Sequence, residues 1–191
     1  MNTKKSNWNK ILWILFILVG CEDIPSPKVP GYPRILFPLE RTYQLFESPQ
    51  CPFTFEYPKM GIIGDRRIDS CWVDIDIPAY QCKFHITYKP LNQKTTYAFA
   101  YEDYRRLIYK HSQKASEIVE TPIRYQNGIG TFFEIYGEVP TSAQFFFSDS
   151  LRHAVMCSFY FETALKNDSL KPVIDYFKKD LKHLIQSIHW K

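Results

Sequence analysis

Thiols and imidazoles have the widest chemical range in this sequence, and there are five of each. They are Cys21, Cys51, Cys71, Cys82 and Cys157, with His85, His111, His153, His183 and His189. Spacing limits what they can share. Cys82 and His85 are three apart in a stretch that alternates like a strand, so they point to opposite faces and cannot hold one metal. His183 and His189 are six apart in a helical pattern, about 240° around the axis. His85, His111 and His153 would meet only if the fold brought them together. Asp74 and Asp76 share a strand face. Two such carboxylates serve as acid and base or hold a cation, but a solvated outer face is the simpler expectation. Cys157 as a nucleophile would need an accessible, electropositive setting, and its face-mates Val155, Phe159 and Phe161 are apolar. The chain has no Gly-x-Ser-x-Gly elbow, His-Glu-x-x-His helix, phosphate-cradling Gly-rich loop or EF-hand loop. The expectation is a chain with no catalytic residues, metal or cofactor, and therefore not an enzyme.

Cys21 differs from the other cysteines. Leu18-Val19-Gly20-Cys21 has the form of a bacterial lipobox, in which a small residue precedes a cysteine that becomes the lipidated first residue of the mature chain. The chemistry requires a thiol because a thioether to diacylglycerol is formed. Lys4, Lys5 and Lys10 supply a positive n-region, and Ile11 to Val19 is an unbroken apolar run. That run is too short to span a bilayer, which takes roughly 20 residues, and it suits a signal-peptide h-region. Cleavage is expected between Gly20 and Cys21. The membrane would then be a partner through lipid at Cys21, with acyl chains contributing about 0.8 kcal/mol per buried CH₂.

This reading changes the charge and the cysteine count. The full chain has 24 basic and 20 acidic residues, a net +4. Three of the basic residues and none of the acidic ones precede Cys21, which leaves +1. The charge case for a nucleic-acid or acidic-lipid partner thereby disappears, and no nucleic-acid partner is expected. Four cysteines remain, in a compartment that permits disulfides. Cys82 and Cys157 sit on apolar strand faces and look like buried thiols. Cys51 and Cys71 each stand just before a strand, beside Pro52 and Trp72. The expected bridge is Cys51–Cys71, and four reduced thiols are the alternative.

The elements that must position these residues follow from periodicity. Pro25, Pro27, Pro30, Pro33 and Pro38 forbid regular structure and suggest an extended tether. Tyr32, Phe37, Tyr43 and Phe46 within it suggest docking of its later part. Strands are expected over 52–57, 72–77, 83–89, 118–125, 129–136, 143–147 and 153–161. Asn127-Gly128 suggests a hairpin turn with φ > 0 at both residues. Phe99, Tyr104, Leu107, Ile108 and Ala115 suggest an amphipathic helix from Thr96 to near Lys114. A second helix is capped at Asp168 or Ser169, has Pro172 in its first turn, and carries a stripe from Leu170 to Ile188. The organisation expected is a signal peptide over 1–20, a lipidated Cys21 with its tether over 21–50, and one α+β domain over 51–191. Its mostly antiparallel sheet of about seven strands is flanked by two helices. That order is similar to the small sandwich of PsbP and Mog1.

Several segments carry a more specific likeness. Pro30-Gly31-Tyr32-Pro33-Arg34-Ile35, Phe37-Pro38, Cys51-Pro52-Phe53-Thr54-Phe55-Glu56 and Cys71 resemble the GldD family of gliding-motility lipoproteins. So do Ile86-Thr87-Tyr88-Lys89-Pro90, Ala143-Gln144-Phe145, Asp149-Ser150, Tyr160-Phe161 and Trp190-Lys191. The resemblance implies an envelope lipoprotein of Bacteroidetes, needed for gliding motility and type IX secretion, with other envelope proteins as partners. The outer membrane is the expected anchor site, with the domain facing the periplasm. A binding module for a small ligand or cell-wall glycan is the alternative, using an aromatic cleft.

Overall fold

The structure, a computed structural model, describes residues 35–64, 70–111, 113–162 and 167–191. The lipobox, Cys21, Gly20 and the first half of the proline-rich segment lie outside the described residues, as do the side chains of His111, Asp168 and Ser169. Ten strands and two long helices are described. The strands are β1 (Tyr43–Phe46), β2 (Phe53–Pro58), β3 (Ile62–Ile63), β4 (Val73–Ile77) and β5 (Cys82–Pro90), then β6 (Ala115–Tyr125), β7 (Gly128–Gly137), β8 (Thr141–Ser148), β9 (His153–Phe161) and β10 (His189–Trp190). The helices are α1 (Tyr97–His111) and α2 (Asn167–Ser187). Seven strands form one antiparallel sheet in the order β3-β4-β5-β9-β8-β7-β6, and β1-β2-β10 form a smaller one. The fold is α+β, with a mostly antiparallel seven-stranded sheet between helices.

Alternation along the strands divides the large sheet into two unlike faces. Val73, Ile75 and Ile77 of β4, Cys82, Phe84 and Ile86 of β5, and Val155, Cys157 and Phe159 of β9 point to one side and are buried. The helix α2 closes this side with Val173, Ile174, Phe177, Leu181 and Leu184, and Phe53 and Phe55 of β2 complete the core. Phe177 meets Phe84 and Phe159 at ring distances of 6.0 and 5.8 Å. Burying a phenylalanine contributes about 1.5–3 kcal/mol, so this face dominates the stability of the domain.

The other face is covered by α1 alone. Ala100, Tyr104 and Ile108, spaced i, i+4, i+8, pack on Phe133, Ile135, Phe146, Ala154 and Met156. This corrects the helical stripe expected from the sequence. Phe99 and Leu107 are 58% and 49% exposed, and Ala115 belongs to β6. The small Ala100 lets the helix approach the sheet, and the Tyr104 ring fills the space below it, so the larger apolar residues are left outside.

Two further expectations are corrected. Tyr125 pairs directly with Gly128, so the hairpin turns on Gln126-Asn127, and neither of these is among the positive-φ residues, Cys71, Gln81 and Ser150. Gly128 is required for close approach instead, because a Cβ there would stand 2.3 Å from the Ser148 carbonyl oxygen. The helix α2 begins at Asn167, which places Pro172 in its second turn.

Residues 35–50 belong to the same compact unit as the rest of the domain. Phe37 stacks between Tyr80 and Tyr176, with ring distances of 5.5 and 4.3 Å, and the Tyr80 hydroxyl donates to the Leu36 carbonyl. Arg41 lies 3.8 Å above the Tyr176 ring and pairs with Asp180. After Thr42 the chain enters β1. A strap is thus sewn to the α2 side of the molecule just before the first strand. Cys51 and Cys71 stand with Cα atoms 5.4 Å apart, joined as a disulfide between the starts of β2 and β4.

Candidate functional site

A seven-stranded sheet is about 29 Å wide at 4.8 Å per strand, while one helix with its side chains covers about 10–12 Å. Among the described residues, helix α1 lies over β6 to β9 and reaches β5 only at Lys89. The outward residues of the neighbouring strands are Asp74 and Asp76 of β4, and Lys83, His85, Thr87 and Lys89 of β5. Register sets them in rows across the sheet. Asp74 faces His85, which faces Ser158, which faces Gln144; Asp76 faces Lys83, which faces Tyr160. The trough between this strip and α1 is the candidate site.

Its upper end is a depression of about 410 Å³. Trp72, Thr87 and Met156 line the sheet side, Asp103, Arg106, Leu107 and Lys110 the helix side, and Lys89 one end. It is open to solvent along its length. Two other depressions, each of about 400 Å³, lie outside it, one beside Phe99 and Tyr109 and one between Glu138 and Lys178. The three depressions are alike in size, and the one beside α1 carries Trp72.

Charge is distributed unevenly along the trough. Asp103 accepts from Lys89 at 3.2 Å and from Arg106 at 2.8 Å, and these two hydrogen bonds hold its carboxyl below the ordinary range. Lys110 has no carboxylate within ion-pair distance among the described residues, so the upper end carries three cations against one anion. Arg105, next to them in sequence, turns to the far side of α1 and pairs with Glu120 at 3.0 Å. At the lower end His85 Nδ1 lies 2.5 Å from Asp74 Oδ1, and Lys83 lies 2.9 Å from Asp76 and 3.2 Å from Glu162. Asp76 therefore serves an opposite charge and Asp74 an imidazole across the strand pair.

The row Asp74–His85–Ser158 contains the residue types of a hydrolytic triad. Its bonding is different. The Ser158 hydroxyl donates to Gln144 Oε1 at 3.0 Å, and Gln144 Nε2 donates to Thr141. Tyr104 lies over this cluster, donating to Gln144 Oε1 at 3.0 Å and to the Cys157 carbonyl at 3.1 Å. Burial pushes the Tyr104 phenol far above its ordinary value. The cluster therefore ties α1 to the sheet through satisfied polar groups, and the serine is turned from the imidazole toward the amide.

The structure separates the other residues that the sequence singles out. His153 bonds the Tyr88 hydroxyl at 2.9 Å and stacks on Trp190, on the sheet face opposite His85. His183 pairs with Glu56 at 2.6 Å and stacks on Tyr43, and His189 Nδ1 lies 2.8 Å from the Ser187 carbonyl oxygen. Among the described residues no three histidine, cysteine, aspartate or glutamate side chains converge as metal ligands. Cys82 and Cys157 are buried free thiols, and burial pushes both pKa values up, which keeps them protonated and poor nucleophiles. No helix among the described residues is long and apolar enough to cross a membrane.

The fold is shared by solved structures with little sequence in common. The solution structure of cyanobacterial PsbP from Synechocystis sp. PCC 6803 is 12% identical, with TM-score 0.51 over 87% of this chain and 100% of that one. The Saccharomyces cerevisiae Ran-binding protein Mog1p is 8% identical, with TM-score 0.53 over 79% of this chain and 96% of that one. Among curated proteins none matches the sequence. The model of the family described as gliding motility lipoprotein GldD matches residues 22–190. That match takes in every described residue except the last, and the chain belongs to the GldD family of gliding motility lipoproteins.

Proposed function

We propose that this chain is a non-enzymatic accessory of the gliding and type IX secretion machinery, held in the envelope by lipid at Cys21 and acting in assembly with other envelope proteins. The observation that carries this reading is the family match, which runs through the whole described domain rather than through one motif. The geometry of the site supports it. An open trough with paired charges suits a protein surface better than it suits turnover of a substrate. In this reading the signal peptide ends at Gly20, and Cys21 carries the acyl chains. The anchor is in the outer membrane and the domain faces the periplasm.

The test is made in the native cells. A deletion strain should lose spreading and should retain type IX cargo inside the cell, and the unaltered gene should restore both. Fatty-acid labelling of the chain should vanish in Cys21→Ala. Chemical crosslinking should join the chain to other motility or secretion components. Normal motility and secretion in the deletion strain, with no crosslinked neighbour, would refute the assembly role. Retained labelling in Cys21→Ala would refute the anchor.

A further inference from the structure

We propose that the trough between α1 and the β4–β5 strip takes an acidic segment of a partner protein that also carries an aromatic side chain. The inference rests on the assembly reading above and adds the place and chemistry of one contact.

Three observations converge on it. The first is charge. Lys89, Arg106 and Lys110 line the upper end with Asp103 as the opposing carboxylate, and Lys110 is left without an ion pair among the described residues. A single carboxylate cannot satisfy three cations, so an incoming carboxylate finds donors already converged. The second is apolar surface at the same spot. Trp72 and Met156 form the sheet wall and Leu107, 49% exposed, stands on the helix wall. Aromatic rings beside cations are the composition of a recognition anchor. The third is shape and position. The trough is open and runs beside a 15-residue helix, roughly 22 Å long at 1.5 Å per residue. An extended segment fits such a channel, while a flat lipid surface cannot reach its floor. The strap of residues 35–42 docks on the α2 side of the sheet, so the trough lies on the face opposite the root of the tether.

Direct binding to defined probes tests this. The full chain, purified in detergent, is titrated into fluorescein-labelled hexapeptides that combine glutamate or aspartate with phenylalanine, tyrosine or tryptophan. Matched peptides carry lysine or glutamine in place of the acidic residues. Anisotropy should show acidic-aromatic peptides binding at least tenfold more tightly than their lysine or glutamine counterparts. The Arg106→Glu/Lys110→Glu double variant should lose at least tenfold, and Trp72→Ala should lose a similar factor. Lys114→Glu, which adds a comparable charge beyond the trough, should bind like the parent. Circular dichroism of each variant checks that the fold is kept. Binding that is unchanged in Arg106→Glu/Lys110→Glu, equal affinity for lysine peptides, or no binding of any acidic-aromatic peptide would overturn the proposal. Such a failure leaves the deletion phenotype intact, so it is distinguishable from failure of the assembly role. Conversely, normal motility in the deletion strain removes the assembly role whatever the peptides do.

Discussion

The Arg41–Asp180 pair is where the strap meets α2, and replacing Arg41 tests how firmly it holds. Asp180 is 2% exposed and Arg41 26%. The carboxylate accepts from Arg41 and, at 2.9 Å, from the Tyr43 hydroxyl, both at Oδ1; Oδ2 has no hydrogen-bond partner. Burial raises the Asp180 pKa, while bonds from Tyr43 and Arg41 pull it back. The Tyr43 phenol is pushed up to about 12 by burial and by the carboxylate it serves. In Arg41→Met an apolar stem is kept, and the charge is removed together with its contact over the Tyr176 ring. Removing one member of a buried pair costs about 3–5 kcal/mol, and the partial exposure of Arg41 puts the loss near the lower end, about 3 kcal/mol. For a domain of this size that is a Tm fall of about 6–12 °C. The double variant Arg41→Met/Asp180→Leu should recover most of it, because no buried charge is left unpaired. The pH dependence has a definite sign. Loss of Arg41 raises the folded-state pKa of Asp180 further. The deficit is therefore full above that raised pKa and shrinks as pH falls toward the ordinary carboxylate range, where a proton neutralises the buried group in the folded state. Urea unfolding at several pH values, on the full chain, measures all three quantities. A deficit under about 0.5 kcal/mol at neutral pH, or a double variant no better than Arg41→Met alone, would show that the pair does not anchor the strap.

Three other perturbations have stated outcomes. The Cys51–Cys71 bridge closes a loop with a sequence separation of 20, so Cys51→Ser/Cys71→Ser should cost about 3 kcal/mol in the chain-entropy model, read as a lower urea midpoint. Gly128→Ala should destabilise by about 1–3 kcal/mol, because its Cβ meets backbone at Ser148 rather than a movable side chain; an unchanged Tm would contradict the close-approach account. Burial alone would raise the Asp149 pKa, yet backbone donors from His153, Leu151 and Arg152 bring it below the ordinary value. Asp149→Ala should therefore cost about 2 kcal/mol at neutral pH, and the difference from the parent should disappear as pH falls through that lowered pKa, as chemical denaturation across pH will show.

The sheet was legible because β4 and the first part of β5 alternate and β9 is a long apolar run. Val73, Ile75 and Ile77 can go only one way, and their register with Phe84 and Phe159 follows. The stripe on α2 was equally plain. What periodicity missed is made by tertiary contact. β1, β3 and β10 are four residues or fewer and exist because β2 and β4 offer edges to them. The face of α1 was misjudged because Phe99 and Leu107 are more hydrophobic than Ala100, while close approach to a sheet favours the smaller residue. The trough was hidden for a related reason. Arg105 and Arg106 adjoin in sequence, and only the fold reveals that Glu120 takes Arg105 to the other side of α1. Trp72 joins the group from a strand end about 30 residues earlier, with nothing in the local sequence to mark it.

The two faces of the sheet divide the work of the domain. The α2 face is sealed with phenylalanines, closed by β1-β2-β10 and stitched to the strap by Phe37 and Arg41. A spacer that merely set a distance from a membrane would need none of those contacts. Those contacts instead fix residues 35–42 on the α2 side of the sheet, the side away from the trough. On the α1 face one helix covers what one helix can. The outward strip of β4 and β5 is polar and charged. It is not a uniform solvated face either, because its upper end concentrates cations and a tryptophan beside an exposed leucine. The strap of residues 35–42 thus occupies one face of the sheet, and the cations and Trp72 that the acidic-aromatic peptides test lie on the other.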